Sequence, residues 1–353
     1  MKRLLFFALL LIVHSLQAQK DSTKYQRKNF ETFNDYILLR ASLHNNSLNL
    51  SLSPRENGIT QYLKPIWYRP SVQNNLGFGI SFKGLSLSYS FKLRQNSLIS
   101  ARQGKSQYQN IQIHSFGKKL GYDIYYQDYK GYFISSLNDF FNRLFNAVPL
   151  ERRDDLRLRN IGANVQYIFS PHKFSYRSAF VFDERQTKSG GSFTLTGSLA
   201  YFRAAADSSF IPTDKTEFDP KAHFSKAEFY TFTAAPGYAY NIIFPKGFYI
   251  SLAASGMVGL QYFEARSDQL SDDGLSYLLK GIGRASIGYH VRKWVTGIAI
   301  SADIQGMNTK YVQFRSNNLD LSVFLAYRIK TGWMKDKKSF FEIFKKKKET
   351  TEG

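Results

Sequence analysis

The chain has 353 residues, a formal charge of +21 from 48 Lys and Arg against 27 Asp and Glu, 16% aromatic residues and no cysteine. Without cysteine there is no disulfide framework, no thiolate-bound zinc or iron–sulfur cluster, no thiol nucleophile and no lipid-bearing N-terminal cysteine. With 31 Phe and 23 Tyr it is too aromatic for a disordered basic chain, and its negative mean hydropathy excludes a bundle of membrane helices.

The N-terminus reads as a targeting segment. Lys2 and Arg3 precede an apolar run from Leu4 to Val13, and Ser15-Leu16-Gln17-Ala18-Gln19 offers a small residue before a cut. This is the pattern of a secretory signal peptide, residues 1–18, too short to span a bilayer. Residues 19–35 are expected to form a periplasmic N-terminal segment ahead of a barrel over 36–330, with a tail over 331–353.

From there the pattern has period two. Leu48, Leu50 and Leu52 alternate with Asn49, Ser51 and Ser53, and Leu76 to Phe82 and Leu85 to Leu93 alternate bulky residues with Gly, Ser and Lys. The pattern returns at 161–169, 193–201, 230–242, 248–262, 279–291, 294–304 and 319–329. Several runs exceed eight residues, long for a soluble sandwich and suited to tilted strands crossing a bilayer. The face opposite the bulky one is mostly small and uncharged, which fits a lumen better than bulk water. The expected fold is therefore all-β, a transmembrane antiparallel barrel of the outer-membrane type.

Short links at 83–84, 117–119, 171–172, 245–247 and 292–293 lie beside Phe82, Phe116, Phe174, Phe244, Phe248 and Trp294, as an interfacial aromatic girdle requires. Longer polar links fall near 94–106, 134–157, 203–228, 265–276 and 305–317. Short turns belong on the periplasmic side and long loops outside. Counting 173–202 as one interrupted traverse gives about 14 strands. If the Pro-containing stretch 63–70 and a neighbour are not strands, the number is 12.

The stretches LKPIWYRPSVQNNLGFGISFKGLSLSYSF (63–91), YDIYYQDYKGYF (122–133) and KFSYRSAFVFDERQTKSGGSF (173–193) resemble an uncharacterised family of Bacteroidota-type bacteria, catalogued as domain of unknown function 4421. The resemblance implies an outer-membrane barrel over most of the mature chain. It implies no reaction, ligand or catalytic residue.

Direct search for chemistry finds no nucleotide-binding Walker loop, zinc-protease helix, nucleophile elbow or calcium loop. The glycines at 281, 283 and 288 miss the dinucleotide spacing and lie in a strand. The five histidines beyond the signal peptide, His44, His114, His172, His223 and His290, are scattered, so neither a metal nor a cofactor is expected. His223-Phe224-Ser225 places a base and a hydroxyl on one strand face, the pattern of outer-membrane lipid hydrolases, but it follows Asp219-Pro220, which reads as loop. No catalytic residue is therefore expected.

Parity assigns Arg40, Lys92, His114, Asp123, Arg284, Asp303, Asp320 and Arg328 to the lumen, together with small residues in 249–259 and 281–288. Both charge signs occur, so these groups either line a polar pore or pair across the interior beside a partial plug. The tail sets Trp333, Phe340, Phe341 and Phe344 beside Lys345, Lys346, Lys347 and Lys348, as an interfacial helix on an anionic surface would. The expected partners are outer-membrane lipids and an envelope protein. No nucleic acid is expected, because the charge forms no nucleic-acid motif and the chain is exported. The first functional reading is a channel or transport-associated barrel. A non-conducting scaffold binding through loops or tail is the second, and a lipid-modifying enzyme the third.

Overall fold

The structure, a computed structural model, describes residues 29–331 except 57–58, 62–64, 72–74, 94–99, 102, 136–149 and 268–269. The signal-peptide and tail expectations lie outside the described residues. The strands are β1 (Phe30–Thr32), β2 (Tyr36–Glu56), β3 (Ile59–Thr60), β4 (Ile66–Pro70), β5 (Asn75–Phe82), β6 (Leu85–Lys92), β7 (Gln107–Phe116) and β8 (Leu120–Ser135). They continue with β9 (Arg152–Ile168), β10 (Glu184–Gln186), β11 (Gly190–Ala205), β12 (Lys226–Ile243), β13 (Phe248–Arg266), β14 (Ser271–His290), β15 (Trp294–Asn308) and β16 (Val312–Lys330).

Strands β1 and β10 form a two-stranded ribbon; the other fourteen make one antiparallel sheet. It closes on itself, because β16 pairs along its length with β2. The ring runs β2-β5-β6-β7-β8-β9-β11-β12-β13-β14-β15-β16, twelve strands, so the sheet has the larger expected number and the closed path the smaller. β4 stands above β5–β7: it pairs with Leu50 to Leu52 of β2 and with Tyr132 to Ser135 of β8. Above the ends of β5, β6 and β7 the wall therefore narrows to ten strands, with β4 in place of those three.

The two storeys have opposite polarity. In the lower one Leu39, Leu43, Phe78, Ile80, Leu199, Phe232, Ile298, Leu321 and Val323 point outward and are exposed, as a lipid face must be. In the upper one the apolar residues point inward, and Leu48, Leu50, Leu52, Leu156, Leu158, Phe202, Phe229, Phe263 and Phe314 are buried together. The reversal happens within single strands. β2 carries Leu39 and Leu43 outside and Ser42 and His44 inside, then Asn49 outside and Leu50 inside. Leu48, Leu50 and Leu52, which carry the first alternation in the sequence, thus belong to a core and not to the lipid face.

On the lipid face, Phe193 against Tyr238, Phe248 against Tyr289 and Trp294 against Tyr327 mark the lower girdle, and Tyr201, Tyr230 and Tyr262 the upper. Eight residues separate Phe193 from Tyr201 on β11. With ~3.3 Å per residue and a tilt near 40°, that spans roughly 20 Å, close to the apolar height of such barrels. No helix among the described residues is long and apolar enough to cross a membrane; the strands do so.

Three expected links change. Residues 265–276 and 305–317 are not long loops: β13 and β14 continue to Arg266 and Ser271, and β15 and β16 to Asn308 and Val312. Their polar residues face water outside the upper storey while the backbone ladder continues. The expected single traverse 173–202 is also corrected. The strand covers only Gly190–Ala205, and the preceding residues fold into the lower lumen. The stretch around 63–70 does supply a strand, β4.

Candidate functional site

Parity brings six of the expected lumen residues, Arg40, His114, Asp123, Arg284, Asp303 and Asp320, around a cavity of about 160 Å³ in the lower storey. Arg284 Nη2 donates to Asp123 Oδ2 at 2.8 Å, and His114 Nδ1 lies 2.5 Å from Asp123 Oδ1. Lys280 Nζ, itself buried, lies 3.1 Å from Asp303 Oδ2. Each carboxylate in this layer has a cationic or imidazole partner, as charges withdrawn from water require. The expected room from small residues is only partly there. Ala253, Ser255 and Gly288 face inward, but Gly281 and Gly283 share the outward parity of Leu279 and Ile287, and a Cβ on either would meet nothing within 4 Å.

One arrangement in this layer was not found from sequence. His44 Nδ1 lies 3.0 Å from Asp320 Oδ1, and its Nε2 lies 2.6 Å from Ser42 Oγ. The carboxylate can only accept, so in the neutral imidazole Nδ1 carries the proton and Nε2 accepts from the hydroxyl. This is the order of a hydroxyl nucleophile, base and orienting carboxylate. Ser42 is nevertheless buried, and a Cβ placed on Gly77 would lie 2.8 Å from its Oγ, so the hydroxyl is enclosed between His44 and the β5 backbone. In this setting it orients the imidazole. The only sequence signal was Ser42-x-His44 on one strand face; Asp320 comes from a strand 276 residues away. His223 and Ser225, by contrast, are not brought together. His223 Nδ1 is 3.2 Å from Ser209 Oγ, and Ser225 Oγ donates to the Arg266 carbonyl.

The lower end is filled by the link between β9 and β11. A π-helical turn (Arg177–Val181) leads to Phe182, whose φ of 67° is unusual for a bulky residue. Its burial holds it there: Phe182 stacks on Phe324 at 4.6 Å and lies near Tyr249 and His290. Arg177 pairs with Asp183 at 2.9 Å, and Asp183 accepts from the Gly84 backbone amide. Ser286 Oγ donates to the Ala179 carbonyl and Asn241 Nδ2 to Gln186 Oε1, fixing the link to two walls. Arg328 is found here and not in the cavity. It donates to the carbonyls of Val291, Arg292 and Phe182, contacts His290, and stacks on Phe33 at 3.9 Å.

The upper end is sealed by the 206–225 loop, which places Phe210, Ile211, Phe218 and Phe224 in the apolar core of the upper storey. Arg153 secures it. The guanidinium forms a two-pronged pair with Asp155 at 2.9 Å and donates to the Ser208 and Ser209 carbonyls, while Asp155 accepts from the Asp207 amide. Hydrogen bonds from Arg153 hold the Asp155 carboxyl below the ordinary carboxylate range, against the opposing effect of burial. Lys92 also lies outside the cavity: at the top of β6 it donates to the Ser106 carbonyl, beside the Ser106–Gly131 bond that closes the step in the wall.

Among the described residues no group of three or more His, Asp or Glu is placed to hold a metal ion. No curated protein matches the chain. Among solved structures it is similar to the outer membrane protease OmpT from Escherichia coli, at 8% identity and a TM-score of 0.38 over 86% of this chain and 100% of that one. The P. putida toluene transporter TodX matches at 7% identity and a TM-score of 0.26, over 84% of this chain and 90% of that one. A bacterial polysaccharide outer membrane secretin matches at 8% and 0.32, over 84% and 99%. A family model, the domain of unknown function DUF4421, matches residues 20–329, so this closed and internally braced outer-membrane barrel belongs to that family.

Proposed function

We propose that the protein is a non-conducting outer-membrane barrel that acts as a membrane-fixed binding scaffold through its rim and loops. The observation that carries this reading is a lumen filled at three levels: the 171–189 link below, the Arg284–Asp123 bridge in the middle, and the apolar core with the 206–225 loop above. A steady pore needs a continuous polar path, and the upper storey offers packed aromatic side chains instead. Purified protein in planar bilayers should give no steady conductance steps while a general porin in the same bilayers does. Regular steps from the unmodified protein would overturn the reading.

A gated channel is the second reading. It is favoured by the charged cavity of about 160 Å³ between the two seals and by the lower seal being one continuous link. No reaction is proposed, because the Ser42 hydroxyl is enclosed.

A further inference from the structure

On the outer wall, five adjacent strands carry a row of four tyrosines and one isoleucine followed by two rows of charge. Tyr126, Ile161, Tyr201, Tyr230 and Tyr262 are partners across β8, β9, β11, β12 and β13. Two residues beyond, on each of these strands, lie Asp128, Arg159, Arg203, Glu228 and Glu264. Two further on lie Lys130, Arg157, Ala205, Lys226 and Arg266. The outermost row is thus wholly basic apart from one alanine. The basic side chains are reachable: Arg157 is 51% exposed, Arg203 38% and Arg266 57%.

The wall from the adjoining β14 round to β2 lacks this. Beyond the apolar residues of β14, β15, β16 and β2 come Asp273, Gly306, Asn308, Asn317, Arg315 and Asn45, nearly neutral in sum. The basic outermost row therefore belongs to one side of the barrel and is not a general feature of its rim.

We propose that this face binds a phosphate-bearing lipid of the outer leaflet, with phosphate on the outermost, basic row and on the guanidiniums of the mixed row beneath it, and acyl chains on the apolar wall below. Position selects a lipid: on four of the five strands the charges follow directly on a tyrosine, and on β9 on Ile161, at the end of the apolar band where headgroups meet the protein. Geometry selects an oxyanion. Arg157 and Arg159 both donate to Asp128 Oδ2, at 2.7 and 3.0 Å, so two guanidiniums already converge on one anionic oxygen, and each retains further N–H donors for a second acceptor. The wall below has room for chains. Gly197 lies between Val165 and Ala234, and a Cβ on it would meet nothing within 4 Å. This inference does not depend on the lumen being closed.

The test uses the full-length protein in detergent, with retention read by native mass spectrometry. The probes are an acylated glucosamine disaccharide bisphosphate and its dephosphorylated form. The unmodified protein should prefer the phosphorylated probe by about tenfold or more, and a triple Arg157→Gln, Arg203→Gln, Arg266→Gln variant should lose that preference. Asp128→Asn, which removes a competing carboxylate, should bind more tightly, and Arg315→Gln on the other face should bind as the unmodified protein does. Heat-modifiable mobility on gels confirms that each variant is folded. Equal retention of both probes, an unchanged triple variant, an equal loss in Arg315→Gln, or displacement by inorganic phosphate would each overturn the proposal.

Discussion

Arg284 and Asp123 meet inside the barrel at 2.8 Å although their strands, β14 and β8, stand five places apart in a ring of twelve. Unlike the Lys280–Asp303 and His44–Asp320 pairs, which join neighbouring strands, this one crosses the interior. Arg284 also lies over the Tyr176 ring at 5.8 Å, so the bridge is tied to the lower plug. Removing Arg284 leaves Asp123 with only His114. Arg284→Ala should cost about 3 kcal/mol of stability, because an unpaired charge remains where water is scarce. A double Arg284→Met, Asp123→Leu variant should recover to within about 1 kcal/mol. Urea unfolding in lipid vesicles measures both.

The lower plug should be separable from the barrel. Replacing residues 174–187 with a short Gly-Ser turn removes the Arg177–Asp183 pair and the Phe182 stack, yet leaves every strand of the ring intact. Heat-modifiable mobility should persist. Swelling of vesicles in small neutral sugars then decides between the two readings of function. Tight vesicles are expected if the upper core seals the lumen alone, and rapid swelling would favour the gated channel.

Tolerance to a charge should reverse along the chain. In the lower storey Val323 is 54% exposed on the lipid face and Ser322 faces inward, so Val323→Arg should cost about 2–4 kcal/mol and block assembly while Ser322→Arg is better tolerated. In the upper storey Leu50 is buried and Asn49 faces outward, so Leu50→Arg should fail and Asn49→Arg should assemble. Band-shift gels on the four variants test the polarity switch directly.

The upper seal should loosen only in acid. The Asp155 carboxyl is held below its unfolded value by Arg153, so its contribution is complete above the ordinary carboxylate range and disappears as pH falls through the lowered value. Hydrogen exchange over 206–225 should be flat from neutral pH down to about pH 5 and rise below about pH 4 once corrected for intrinsic rates. Asp155→Asn should show the faster exchange already at neutral pH.

Sequence periodicity by itself determined the class of fold. A period of two sustained over long strands, with turn residues and aromatics at the strand ends, permits few structures other than a closed antiparallel barrel. Parity, a local property, also picked out Arg40, His114, Asp123, Arg284, Asp303 and Asp320, which meet at one cavity, but it passed over His44 and Lys280 in the same layer and took in Lys92 and Arg328, which lie outside it. What parity cannot give is the medium on each side. Leu43 and Leu50 look alike as members of alternating runs, yet one meets lipid and the other a core, since the strand leaves the membrane between them. Only the tertiary structure decided that the upper storey is a filled barrel, that 171–189 turns into the lumen, and that Ser42, His44 and Asp320 come together. Each depends on closure of the ring, which brings β16 against β2 and sets β8 facing β14. Those contacts join residues well over a hundred positions apart, and no pattern along the chain encodes them.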